Sequence, residues 1–379
     1  MNSLSSPAAS GGGPSPGMAD GMSTEALELS EVERRLAAAV RARPTQTRAT
    51  TMNLICCVED RSDADGLAGQ LGALARRHPG RMFLVVPGSL DGSHPHGEWR
   101  ARILPLGADG EAASVCGELV ELQASGIALL STSTAVTPLL AGHAPVYLWW
   151  RGEDPVDNPR FNDLARIADR VLFDSQRLAF EPARFLRLAR RERSLHPAGG
   201  VCDLTWQRLA RWRRLIAQGF ESPEAARRLR QLESVRFTAC GGQPALHGAA
   251  LLLAGWLASR LDWRVERAQG AHEIVMRAPG GGDVVVTFAA AGGDAAAGQL
   301  LCSVQLLAGK FGVSVSRNGA AIQVEVGGGD LGRSTASYPT PTPMDALAQE
   351  LDMPAPDPLF QQAWSMAAEI LGGLGVKAA

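Results

Sequence analysis

The chain has 379 residues, 45% apolar and 20% charged, a mix that supplies sizeable cores in a soluble globular protein. At about 150 residues per domain, that length predicts two domains. The 37 basic and 39 acidic residues leave a formal charge of −2, which removes the usual electrostatic ground for a nucleic-acid or anionic-membrane partner.

Lys310 and Lys377 are the only lysines, so there is almost none for Schiff-base or P-loop chemistry. Cysteines at 56, 57, 116, 202, 240 and 302 follow no C-x-x-C spacing. They predict small buried side chains, not a disulfide framework or a zinc site. The first twenty residues hold no Lys or Arg and no apolar core, and no stretch reaches about 18 apolar residues. The expectation is a cytoplasmic protein with no secretory signal and no membrane span.

Residues 1–23, mostly Ser, Gly, Pro and Ala, predict a disordered tail. Leu29, Val32, Leu36 and Val40 then mark a helix that Arg43-Pro44 ends. Met52–Val58 and Met82–Val86 are apolar runs suited to buried strands. They flank a helix capped by Ser62 or Asp63, with Leu67, Leu71 and Leu74 on one stripe. Amphipathic strands are expected near 100–106 and 115–122, a helix over 126–140 and a strand at Pro145–Trp150. A further helix near 160–169 leads to a strand at 171–173. Strands alternating with helices predict an α/β N-terminal domain, residues 24–200, with a mainly parallel sheet.

From 176 to 261 the pattern reads as almost wholly helical. Trp206, Leu209, Trp212, Ile216 and Phe220 form one stripe, Ser222-Pro223-Glu224 starts another helix, and Ala245–Leu261 is apolar nearly all round. Short strands separated by glycine turns follow near 263–268, 272–278, 283–289, 300–307, 312–318 and 321–326. Helices near 343–351 and 357–372 close the chain. Residues 201–379 are therefore expected to form an α+β C-terminal domain: a helical linker over 201–261, then a largely antiparallel sheet with helices over 262–379.

Chemistry-bearing patterns are sparse. Gly327–Gly332 fits G-x-G-x-x-G, but the prolines at 339, 341 and 343 deny it the helix whose N-terminal amides a pyrophosphate needs. His94, His96 and His143 lack a supporting H-E-x-x-H helix and read as loop residues. Ser131–Thr134 lacks a G-x-S-x-G elbow and suits helix capping or packing. Glu153, Asp169 and Asp174 leave a carboxylate pair open. Asp174 and Ser175, at a strand's C-terminal end, are a possible ligand edge, although a structural cap serves equally well. No metal site and no cofactor is expected.

Aromatic clusters say more. Alternate side chains of a strand face opposite sides, so Trp149 and Trp150 cannot share one core; one is expected to face a groove, the other domain or a partner. Trp206, Arg208 and Trp212 form a second cluster. Trp and Arg are enriched at binding hot spots, so interdomain packing and a partner surface both stay open.

Taken together and in order, six strings resemble one family: RATTMNL (48–54), PVYLWWRGEDP (145–155), IADRVLFDS (167–175), DLTWQRLARWRRLIAQGF (203–220), LLLAGWLASRLDWRVE (251–266) and DPLFQQAWSMAAEIL (357–371). The chain is similar to the glucose-6-phosphate dehydrogenase assembly proteins, OpcA, over roughly residues 45–373. The resemblance implies a non-catalytic protein that binds glucose-6-phosphate dehydrogenase, promotes its active oligomer and raises flux into the oxidative pentose phosphate pathway. Trp149, Trp150, Arg151, Trp206, Arg208 and Trp212 are then expected at or beside that interface. The alternative is an enzyme or sensor that binds a sugar phosphate or nucleotide at the α/β edge, with Arg151 or Arg170 as anion contacts. The family's cyanobacterial branch is associated with thiol redox control through C-terminal cysteines. Here that part carries only Cys302 beyond Cys240, with no close pair, so no intramolecular switch is expected.

Overall fold

The computed structural model describes residues 29–41, 50–88, 98–106, 117–152, 154–176, 181–192, 200–242, 244–292, 301–318, 321–327 and 341–378. The expected tail at 1–23, Glu153, the His94–His96 loop and the glycine cluster at 328–332 lie outside them.

After helix α1 (Leu29–Arg41), β1 (Met52–Cys57), α2 (Arg61–Arg77) and β2 (Gly80–Pro87) form a parallel strand–helix–strand unit. Helix α2 starts where the Asp60 side chain accepts from the Asp63 amide at 2.8 Å, and its first buried leucine is Leu67. Strands β3 (Glu98–Leu106) and β4 (Gly117–Ser125) pair antiparallel. Short α3 (Thr132–Val136) precedes β5 (Val146–Trp150). Then come α4 (Pro159–Ala165), β6 (Arg170–Phe173), α5 (Pro182–Glu192) and β7 (Val201–Asp203). The sheet order is β3-β4-β2-β1-β5-β6-β7, every pair parallel except β3–β4. Without the β3 edge this is the 3-2-1-4-5-6 order of a doubly wound fold, and its topological switch falls between β1 and β5.

Helices α6 (Leu204–Arg208), α7 (Ala210–Gln218) and α8 (Pro223–Leu229) lead to β8 (Ser234–Ala239) and α9 (Gly248–Arg260). Next are β9 (Arg264–Gly270), β10 (Glu273–Arg277), β11 (Asp283–Ala290), β12 (Leu301–Ala308), β13 (Phe311–Asn318) and β14 (Ala321–Gly327). Helices α10 (Pro343–Leu351) and α11 (Pro358–Gly373) follow. The second sheet runs β14-β13-β12-β8-β11-β10-β9, antiparallel except for β8–β11.

Several expectations change here. The segment expected to be wholly helical contains two strands. β7 is only three residues long, too short to show a period, and it joins the first sheet; β8 stands at the centre of the second. Ser-Val-Arg-Phe-Thr-Ala does alternate, with Val235, Phe237 and Ala239 buried. The helix expected over 126–140 is broken into two 3-10 turns around α3. Hydroxyls compete for its backbone: Thr132 donates to the Leu129 carbonyl and Thr137 to the Ser133 carbonyl, and Pro138 removes an amide.

Cys240 and Cys302 form a disulfide between β8 and β12, with Cα atoms 4.8 Å apart, which corrects the expectation of no disulfide and no close pair. Sixty-two residues separate them in sequence, and sheet pairing, which brings neighbours together from any distance along the chain, closes the gap. Cys56 and Cys57 are free, buried thiols, Cys202 is buried as well, and burial pushes the Cys57 thiol up to about 12.

One continuous core joins the two sheets. It contains Trp150, Phe173 and Phe185 from the first half, Phe237 and Phe288 from the second sheet, and Phe360 and Trp364 from α11 between them. A smaller core on the far face of the first sheet holds Leu54, Leu84, Trp149 and Leu347. Helices α9 and α11 meet backbone to backbone at Gly255. A Cβ there would lie 2.1 Å from the Ala363 carbonyl oxygen and 2.9 Å from the Ala367 amide nitrogen.

Two stability predictions follow. Gly255→Ala pushes α11 off α9 and lowers unfolding free energy by about 3 kcal/mol, whereas Gly69→Ala, on the open side of α2 with nothing near its Cβ, raises it by about 1 kcal/mol. Urea titration of both variants checks the opposite signs. Cys302→Ala removes the cross-link and lowers stability by up to about 4 kcal/mol, read from the same titration in non-reducing buffer.

Candidate functional site

Ligands of doubly wound sheets bind beyond the strand C-termini, beside the switch point. Here β1 runs through Val58 and Glu59 into Asp60, and α2 follows at once, with no glycine-rich turn. The helix N-terminus, where a pyrophosphate would meet free amides, is occupied by the Asp60 cap and by Asp63. Arg151, at the end of β5, binds Asp63 through two nitrogens, lies 4.6 Å above the Trp149 ring and donates its backbone amide to the Cys57 carbonyl at 2.8 Å. The cavity over this loop, about 370 Å³, is lined by Glu59, Asp60 and Asp63 against the single cation Arg151. Its charge opposes a phosphate.

The second edge carries Asp174 and Ser175, both buried, at the C-terminus of β6. Arg208 of α6 reaches them and binds Asp174 through both carboxylate oxygens, at 2.8 and 2.7 Å, and its guanidinium also meets the Gln176 side-chain oxygen at 2.9 Å. Asp203 caps α6: one of its oxygens accepts from the Thr205 and Ser175 amides at 2.9 and 3.1 Å. The Ser175 hydroxyl donates to the Thr205 hydroxyl at 2.9 Å. Outside this network the crevice between the sheets, bounded by Arg208, Trp212, Leu301, Arg317 and Ile322, holds about 30 Å³, room for one water. Asp174 and Ser175 thus serve a buried network that fixes α6 on β6, the capping alternative of the sequence reading.

The four tryptophans are inside. Trp149 and Trp150 point to opposite faces, as a strand requires, yet each finds its own core: Trp150 against Phe161 at 5.2 Å between ring centres, Trp149 in the far-face core. Of the three expected alternatives, a groove, the other domain or a partner, neither indole faces an open groove; Trp150 lies in the core that joins the two sheets, because the parallel sheet is covered on both sides. Trp206 and Trp212 are 1% and 2% exposed. The Trp206 indole donates to Asp357 at 2.8 Å and carries the Arg213 guanidinium 3.5 Å above its ring. Arg208 is consumed by Asp174, and Arg170 is buried against Glu350 at 3.4 Å and the Met353 carbonyl at 3.1 Å.

Remaining candidates separate in space. Asp169 accepts from the Val146 amide at 2.8 Å at the opposite end of β6 from Asp174, so those two form no carboxylate pair. Ser133 is held by Asp163 through its amide and its hydroxyl, both at 2.7 Å. His143 is exposed on a loop. The described residues hold no group of three or more His, Cys, Asp or Glu arranged to bind a metal, and no described helix is long and apolar enough to cross a membrane. Sequence reasoning missed Asp203, Thr205, Gln176 and Arg317. Asp203 ahead of Leu-Thr-Trp was readable as a helix cap; the others depend on tertiary approach.

Two buried titrating groups pull stability in opposite directions. Burial, with the Asp174 charge added, raises the Asp203 carboxyl from 3.8 to about 6, and its second oxygen has no hydrogen-bond partner among the described residues. Burial lowers His247, the cap of α9, from 6.5 to about 4. Asp203 contributes most below pH 3.8 and loses that contribution as pH rises through 6. His247 contributes above pH 6.5 and loses it as pH falls through 4. Asp203→Asn therefore raises stability at pH 7.5 by up to about 3 kcal/mol, an advantage that shrinks at pH 4.5. His247→Asn, which keeps a capping oxygen, gains on the parent as pH falls. Urea unfolding at both pH values measures each slope.

Residues 72–191 match the family described as the glucose-6-phosphate dehydrogenase subunit N-terminal domain, and residues 199–364 match the one described as its C-terminal domain. The candidate OxPP cycle protein OpcA of Nostoc punctiforme is 30% identical over 204 residues, 53% of this chain and 42% of that protein. Its Synechococcus elongatus counterpart is 30% identical over 191 residues, 50% of this chain and 41% of that protein. The matched stretch spans about two fifths of the length of these relatives. Among solved structures, the myo-inositol dehydrogenase of Lactobacillus casei, in complex with NAD(H) and myo-inositol, aligns with TM-score 0.41 and 8% identity. That alignment covers 86% of this chain and 94% of that one, a likeness too distant to bear on function. With both family matches in chain order and joined by relatives at 30% identity, this chain belongs to the OpcA family of glucose-6-phosphate dehydrogenase assembly proteins.

Proposed function

We propose that the chain is a non-catalytic assembly factor of glucose-6-phosphate dehydrogenase. It binds the enzyme, favours its active oligomer, raises its activity and so increases flux into the oxidative pentose phosphate pathway. Its place of action is the cytoplasm. The observation that carries this reading is the pair of family matches across both halves of the chain.

The geometry is consistent with a binding role. At the switch point an acidic, aspartate-capped helix start replaces a phosphate cradle, and at the second edge the Asp174–Arg208 pair fills the crevice. Neither place favours the alternative of a sugar-phosphate or nucleotide site. Activation requires the protein to bind the active oligomer more tightly than the inactive form, since equal affinity shifts no equilibrium. Trp149, Trp150, Trp206 and Trp212 act from beneath: they hold rigid the surface that a partner meets, and rigid scaffolds lose little freedom on docking.

The test is an activity titration. Purified protein added to the same organism's glucose-6-phosphate dehydrogenase, at sub-saturating glucose 6-phosphate, is expected to give a saturable rise in NADP reduction. Light scattering on the same mixtures is expected to show a larger dehydrogenase assembly. An unchanged rate with no complex would sink the proposal.

A further inference from the structure

Among the described residues, helices cover one face of the second sheet and none packs on the other, where Val275 alone of the outward residues is buried. Val235 and Phe237 on β8, Val286 and Phe288 on β11, and Val304 and Leu306 on β12 point into the shared core. Helices α7, α9 and α11 pack on that side: Gly219, at the end of α7, abuts Val313, Phe220 lies 5.9 Å from Phe311, and Gly373 of α11 abuts Val265 and Ile274. The alternate residues of each strand point the other way.

Register arranges those residues in rows. One row runs Ser314, Gln305, Arg236, Thr287, Glu273 across β13, β12, β8, β11 and β10. A second places Leu307, Ser234 and Val285 side by side, and a third Ser303, Thr238 and Ala289. The side chains are mostly small. Leu307 is 46% exposed, the second most exposed of the large apolar residues described. Among the described residues Arg236 is exposed with no ion pair, and Glu273 accepts from the Thr287 hydroxyl alone, at 3.1 Å. Arg236 and Glu273 stand one strand to either side of Thr287.

We propose that this face joins two copies of the chain about a two-fold axis lying in the interface along β11. That axis sets Val285, Thr287 and Ala289 against their own counterparts, all small enough for two sheets to approach to about 10 Å. It also carries Arg236 onto the partner's Glu273, and by symmetry does so twice. Leu307 lands over β9, on the aliphatic stem of the partner's Arg267, which pairs in register with Val275. An axis along β11 overlaps five strands of each copy, β12 to β9; at about 4.8 Å per strand and three rows of about 7 Å they give roughly 500 Å² per copy, or about 1,000 Å² in all, the area a specific interface needs to clear. Charge self-complementarity about β11 and this area both point to a second copy as the occupant.

Sedimentation velocity of the full chain, from about 1 to 100 µM in about 0.1 M salt, tests the proposal. The expected result is a dimer of twice the chain mass. Arg236→Glu and Glu273→Arg each set like charges opposite one another and weaken the dimer at least about 30-fold, while the double reversal restores it. Thermal melting confirms that each variant folds, since both positions lie on the outward face. A parent chain that stays monomeric overturns the proposal, as does a dimer indifferent to both single reversals. A double reversal that fails to recover overturns the axis. If the chain alone is monomeric but forms a glucose-6-phosphate dehydrogenase complex that Arg236→Glu abolishes, the face belongs to that enzyme and not to a second copy.

Discussion

The contact on which the rest of the structure depends is the crossing of α9 and α11. Neither sheet closes a core by itself: the inner faces of both are apolar, and these two helices lie between them. Gly255 lets the backbones touch, so Phe360 and Trp364 reach Phe173 and Phe185 on one side while Ile370 and Leu371 join the same core toward the second sheet. The last segment of the chain is thus the central layer. Polar anchors fix its direction: Trp206 to Asp357, Gln207 to Glu350 at 2.6 Å and Arg170 to Glu350 tie the stretch from α10 to α11 onto the end of the first sheet. Buried pairs of this kind add little net stability, but breaking one leaves a charge stranded, which selects a single docking of α10 over its neighbours.

That arrangement explains what became of the ligand-binding ends of the first sheet. A doubly wound fold leaves two sets of groups unsatisfied beyond its strands: the helix N-terminal amides and whatever polar side chains the strand ends carry. This chain satisfies both from within. Asp60 serves α2, Asp203 serves α6, and Arg208 neutralises Asp174. The cost appears at Asp203, whose carboxyl is raised to about 6 because burial and Asp174 both oppose its charge. A group held under that strain by two amides and a neighbouring cation is part of a locked joint between β6, β7 and α6, and the crevice beside it has space for a single water.

Much of the architecture was legible. Apolar runs such as MNLICC and MFLVV gave the inner strands because a parallel sheet covered on both faces tolerates no polar alternation. The Ser222-Pro223 start and the six strands from 264 to 327 stood out by cap chemistry and by glycine turns. What stayed hidden was non-local. VCD is too short to show a period, and β8 lay inside a stretch whose leucines and arginines suggested helix. The Cys240–Cys302 bond joins strands that only the sheet register brings side by side. The tryptophans misled for a related reason: alternation correctly sent Trp149 and Trp150 to opposite faces, but no local pattern says whether the second face meets water or another core. Of the candidate ligand edge, the position of Asp174 was readable from its strand end, whereas Arg208, on a helix thirty-four residues later, was assigned to a surface.

The two sheets now divide the work on physical grounds. The first is buried on both faces and closed at its strand ends, so it has little left to offer a partner except its helices. Among the described residues the second has helices on one face only, and its other face carries short polar side chains, an arginine with no ion pair there and an exposed leucine. A sheet cross-linked by a disulfide at the end of its central strand and backed by a helix pair loses little entropy when something covers it. Strand registers, unlike loops, place charges at fixed intervals of about 4.8 Å, so recognition by such a face discriminates on the spacing of a few groups.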